Sequence, residues 1–86
     1  MKIQDMIIES LEDGPWCCWE IAVAKKINKH AVSKELTIMA RSGLVRRTTE
    51  RMKDPATGMK NYRYLLSKNG WVALHLHLEN LRKGVR

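Results

Sequence analysis

Residues 53–60 read Lys-Asp-Pro-Ala-Thr-Gly-Met-Lys, KDPATGMK. Asp, Pro, Thr and Gly cluster here between two segments of different character. Before them lies LVRRTTERM (44–52), and after them, sharing Met59 and Lys60, lies MKNYRYLLS (59–67). Both flanks are rich in Val, Leu, Thr and Tyr and alternate in part between apolar and polar, which predicts two strands. Pro55 suits the first central position of a type I turn, and Gly58 suits a following position with positive φ. The stretch is too short for a linker between domains. It also lacks the glycine spacing and the Lys-Ser/Thr ending of a nucleotide-phosphate loop. It reads as the tip of a β-hairpin.

Upstream of Gly43 the period changes from two to that of a helix. In KIQDMIIESLE (2–12), Ile3, Ile7 and Leu11 fall at four-residue steps, which predicts an amphipathic helix stopped by Asp13-Gly14-Pro15. Trp16-Cys17 reads as a short extended piece and CWEIAVAKK (18–26) as a second helix, with Ile21 and Ala22 inward. Asn28 is a suitable N-cap, because its side-chain oxygen can accept from a free amide two or three residues on. A third helix follows over about 29–42, with Val32, Leu36 and Met39 on one stripe and Gly43 as its left-handed stop. Ser67 caps a last helix over about 68–83, in which Trp71, Leu74, Leu78 and Leu81 repeat at 3-4-3 spacing. Trp16 and Trp19 are expected to plug a small core, and at least one of Tyr62 and Tyr64 to join it. The predicted order is α-β-α-α-β-β-α, mainly helical with a small hairpin, in a single domain over 1–86.

Charge is unevenly placed. The chain of 86 residues carries +7 overall. Residues 1–24 are net −4, residues 25–63 net +8, and residues 64–86 net +3. A basic block inside a folded domain attracts a polyanion, most often nucleic acid. Setting Val32, Leu36 and Met39 inward turns His30, Lys34, Thr37 and Arg41 outward, with Ser33 and Ile38 on the flanks. The exposed face of the third helix is therefore basic and rich in hydrogen-bonding groups.

In this order the segments resemble the winged helix-turn-helix regulators of the MarR-, PadR- and ArsR-like superfamily. INKHAVSKELTIMARSGLVRR (27–47) looks like their helix-turn-helix, and RMKDPATGMKNYRYLLSKNG (51–70) like their wing and the start of the last helix. The markers are Ser33-x-x-Leu36, Met39, Gly43-Leu44-Val45 and the closing Tyr64-x-Leu66-Ser67-x-x-Gly70. Lys26 departs from the pattern, standing where Gly is common, and so does Lys25, standing where a buried Leu is often found. The resemblance implies sequence-specific binding of double-stranded DNA by a small transcriptional regulator, and the small size adds the expectation of a repressor by occupancy. Lys29, His30, Ser33, Lys34 and Thr37 are then expected at base edges in the major groove, and Arg41 at phosphate. Arg46, Arg47, Arg51, Lys53, Lys60 and Arg63 are expected to carry the wing's contact with the backbone or the minor groove. The Asp54 carboxylate opposes deep insertion of the tip and favours the backbone.

Val72 and Leu76 widen the apolar band of the last helix beyond what one side of a small domain needs. Trp71, Leu74, Leu78 and Leu81 are therefore expected to form a homodimer interface, and a two-fold dimer favours a palindromic site. Two other roles fit the same fold: an architectural factor of the excisionase or replication-accessory kind, and a winged-helix module that binds or inhibits a protein. His75 and His77, two residues apart, diverge by about 200° on a helix and cannot share one metal from one face. No zinc-type ligand spacing, no nucleophile–base arrangement and no 18-residue apolar run is present. The expectation is a protein that is not an enzyme, with no cofactor, metal, membrane or small-molecule ligand. The adjacent Cys17 and Cys18, poorly placed to bridge each other, suit a reducing compartment, hence a cytoplasmic setting, nucleoid-associated in a bacterium or phage.

Overall fold

The computed structural model describes residues 2–84. Its elements are α1 (Ile3–Leu11), β1 (Trp16–Cys17), α2 (Cys18–Lys25), α3 (Lys29–Arg41), β2 (Val45–Lys53), β3 (Lys60–Leu66) and α4 (Lys68–Gly84). The four-residue apolar steps of α1 bury Ile7 and Leu11, and Ile8 joins them from the next position. These meet Ile21 and Ala22 of α2, Val32, Leu36 and Met39 of α3, Val45 of β2, Leu66 of β3 and Leu74 of α4 in one cluster. Trp16 and Tyr64 pack against it, whereas Tyr62 lies outside.

The helix ends follow their local chemistry. The Asn28 side chain accepts from the amides of His30 at 2.8 Å and Ala31 at 3.3 Å and starts α3. Glu20 reaches back to accept from the Cys17 amide at 3.0 Å and so steadies the start of α2. Lys26 ends α2 with φ 56°, the left-handed region that glycine occupies without strain. The amide of Ile27 then bonds the Ala22 carbonyl at 3.0 Å, closing the helix end. The tight α2–α3 turn is therefore made with a lysine in a glycine conformation.

The sheet has three antiparallel strands in the order β1-β3-β2. Trp16 pairs with Tyr64 and Cys17 with Arg63, so the short β1 covers the edge of β3 away from β2. Between β2 and β3 the ladder runs Val45–Leu66, Arg46–Leu65, Arg47–Tyr64, and resumes at Arg51–Tyr62, Met52–Asn61 and Lys53–Lys60. Thr48, Thr49 and Glu50 thus face the single residue Arg63, a bulge of two extra residues. The Thr48 hydroxyl stitches it, donating to the Arg63 carbonyl at 3.0 Å and accepting from the Glu50 amide at 3.2 Å. The start of α4 presses on the loop before β2. A Cβ at Gly70 would lie 2.1 Å from the Leu44 carbonyl oxygen, so this approach requires glycine. Ser67 donates its hydroxyl to the Gly43 carbonyl and accepts from the Gly70 amide at 3.1 Å, tying the same corner.

Candidate nucleic-acid interface

Opposed residues of an antiparallel pair project to one face. The register therefore puts Arg47, Arg51, Lys53 and Lys60 on the same face as Tyr62 and Tyr64. Arg46 and Arg63 stand on the other. The first face looks toward α3: Ser33 and Leu36 line one cleft with Lys60, Asn61, Tyr62 and Tyr64. A second cleft of about 340 Å³ continues it, with Lys29, His30 and Ser33 on one wall and Thr57, Met59 and Asn61 on the other. Helix and wing thus form two sides of one open groove. Asn61, Thr57 and Met59 line it without having been expected there. Their signal in the sequence is weak, because polar residues near a hairpin tip are ordinarily solvated.

Along α3, His30, Ser33, Lys34, Thr37 and Arg41 are all exposed. The Thr37 hydroxyl donates to the Ser33 carbonyl at 3.1 Å, which leaves its lone pairs outward. Among the described residues none of Lys34, Arg41, Arg46, Arg47, Arg51, Lys53 and Lys60 forms an ion pair. These seven cations are free for an external anion.

Two expected contacts are held inside the chain instead. Lys29 donates to Asp54 at 2.8 Å. Asp54 is only 3% exposed and also accepts from the Ala56 amide at 2.9 Å. Asp54 therefore turns inward, caps the wing turn and pins it to the first residue of α3. The Lys29 ammonium, helped by the Ala56 amide, holds this carboxyl below the ordinary range. The turn is completed by Gly58, at φ 75°, whose amide bonds the Asp54 carbonyl at 2.7 Å. The charge that argued against close approach of the tip is neutralised within the chain itself by Lys29.

Arg63 differs likewise from its expected role. Its guanidinium lies 2.6 Å from Glu50 and 3.5 Å from Glu20, the longer of these a Coulomb contact without a hydrogen bond. Pairing of β3 with β1 carries Arg63 to Glu20 at the start of α2, while Glu50 reaches it from the β2 bulge on the other side. It joins wing to body and is not free for phosphate.

On α4, Trp71, Leu78 and Leu81 are exposed by 49%, 42% and 43%, and Val72 and Leu76 by 54% each. Leu74, expected among the interface residues, is 3% exposed and lies in the chain's own core. His77 faces α1, 2.8 Å from Glu9, while His75 is exposed beside Trp71, Val72 and Leu76. Glu9 is held below its ordinary range by His77 and, next, by Lys25 at 3.2 Å. Both thiols are buried. Burial pushes Cys17 up to about 11 and raises Cys18, so each is protonated and unreactive at neutral pH. No helix among the described residues is long and apolar enough to cross a membrane.

Four helices with a three-stranded sheet, a helix-turn-helix of α2 and α3 and a wing of β2 and β3 define the winged helix-turn-helix fold. Solved structures of transcription regulators share it. AdcR, the adhesin competence repressor of Streptococcus pyogenes, aligns over 99% of this chain and 60% of its own, at 18% identity and a TM-score of 0.75. A PadR family transcription regulator from Clostridium difficile aligns over 93% and 86%, at 19% identity and a TM-score of 0.72. The MarR family transcription regulator SP03579 aligns over 94% and 52%, at 22% identity and a TM-score of 0.71. The chain thus spans little more than half the length of several regulators that it matches. No protein-family model matches the sequence, and no curated protein does.

Proposed function

We propose that this chain binds double-stranded DNA, with α3 in the major groove and the wing along the adjoining backbone, and that it acts as a small transcriptional regulator that represses by occupying its site. The observation that carries this reading is the set of seven exposed cations with no carboxylate partner among the described residues, on α3 and on the wing beside it. Base reading falls to His30, Ser33, Lys34 and Thr37, and phosphate contact to Arg41 and the wing. Lys29 and Arg63 support the frame rather than the contact. AdcR, of like fold, is described as a repressor, which agrees with the proposed mode.

The chain is further proposed to act as a homodimer through the apolar residues of α4 left exposed, Trp71, Leu78 and Leu81 flanked by Val72 and Leu76. A two-fold axis there presents two α3 helices to one duplex and favours a palindromic site.

The test is selection of bound duplexes from a random pool, followed by affinity measurements on the recovered site. Lys34→Ala with Arg41→Ala should weaken binding by at least about a hundredfold, each contact with a charged group contributing roughly 1.5–3 kcal/mol. Unchanged affinity at moderate salt would sink the assignment of α3. Phased, bent sites without a defined sequence would favour an architectural role instead.

A further inference from the structure

The bulge in β2 produces a constellation that a regular hairpin would not. Without the two extra residues, Thr49 would face Tyr62 and Arg51 would face Lys60. With them, Arg51 stands directly opposite Tyr62, and Arg47 is its diagonal neighbour. The guanidinium carbon of Arg47 lies 4.5 Å from the centre of the Tyr62 ring, and that of Arg51 lies 5.4 Å from it. One aromatic ring gathers two arginines of the same sheet face.

A guanidinium stacked on a ring uses its face there and keeps its in-plane N–H donors free. Both arginines are exposed and neither has a carboxylate partner among the described residues. Two like charges held round one ring repel each other unless an anion lies between them. The ring itself lines the cleft shared with Ser33 of α3, so the pair sits beside the helix proposed to enter the major groove.

We propose that Arg47 and Arg51, gathered on Tyr62, bracket one backbone phosphodiester of the bound duplex, with Tyr62 as the positioning residue and the Thr48–Glu50 bulge as the device that sets the spacing. The inference rests on the duplex-binding reading above and deepens it. Arg46, on the opposite face of the sheet, has no part in this clamp.

The experiment uses the full chain and a duplex recovered by selection, with a neutral methylphosphonate placed singly at each backbone position. One position in each half-site should weaken binding of the wild type and have no further effect on Arg47→Ala/Arg51→Ala. Each single alanine variant should lose roughly tenfold in affinity, as expected for a charge-assisted contact. The double variant should lose less than the product of the two, and its salt slope should fall by about 0.9 for each bound protomer, the value for one phosphate. Tyr62→Leu should weaken binding several-fold and blunt the sensitivity at the same methylphosphonate position, and Tyr62→Phe should restore both. Thermal melting of each variant separates loss of contact from loss of fold. A slope change of ~1.8 per bound protomer, or two positions in one half-site that both lose their sensitivity in the double variant, would mean two phosphates per protomer and overturn the clamp. Wild-type affinity in the double variant overturns it as well. If the wild type binds no duplex at all, the functional reading fails rather than the clamp alone.

Discussion

Lys26 is the residue where local strain is best isolated. Its φ of 56° puts a β-carbon against the following carbonyl, which costs an L-residue roughly 1–2 kcal/mol. Lys26→Gly removes that contact but adds freedom to the unfolded chain, so a net gain of about 0.5–1 kcal/mol is expected. Lys26→Ala removes the charge and keeps the strain, so it should show no such gain. Chemical denaturation of the two variants checks this, and equal midpoints would remove strain as the cause. The departure from glycine at this position was plain in the sequence. That the lysine would nevertheless adopt the glycine conformation was not, because only packing of α2 against α3 requires a turn this tight.

At the scale of elements, two clusters of polar contacts join parts that the chain order keeps apart. Lys29 and Asp54 join α3 to the wing, and His77 and Lys25 meet Glu9 to join α4 and α2 to α1. Both carboxyls have folded-state pKa values below their ordinary values of 3.8 for Asp54 and 4.5 for Glu9. Between folded and unfolded pKa the unfolded chain binds more protons, so stability rises with pH there. The contribution is present in full above about pH 5 and is lost as pH falls through the lowered values. Acid unfolding should therefore steepen below pH ~4, and Asp54→Asn or Glu9→Gln should each flatten that limb. An unaltered acid limb in both variants would show that these pairs do not set it. Amide exchange at residues 56–59 should quicken in Asp54→Asn, since the wing turn loses its tie to α3. Element boundaries were largely legible, because turn residues and helix caps act within a few positions. The β2 bulge was not, since nothing in Thr48-Thr49-Glu50 states which residue of β3 it must face.

At the scale of the whole molecule, the proposed two-fold interface rests on α4. Five large apolar side chains lie exposed along it, while Leu74 between them closes the core. The 3-4-3 spacing merges these two roles, because a repeat marks an apolar stripe without saying which neighbour covers it. Leu78→Asp places a charge on the exposed part alone, so it should give folded monomers by light scattering where the wild type gives dimers. A dimer that persists in this variant would place the interface elsewhere, and a monomeric wild type would remove the two-fold model.

The sequence by itself determined the order of helices and strands, the hairpin tip at KDPATGMK, the core stripe of α3 and the concentration of positive charge between residues 25 and 63. Each depends on period, capping or composition, which are local. Only the tertiary structure decided which of those charges are free. Lys29 finds its carboxylate 25 residues away, Arg63 is held by Glu20 across the start of α2, and Arg47 and Arg51 meet over Tyr62. Ion pairing depends on distance through space, and here strand register and a two-residue bulge set that distance.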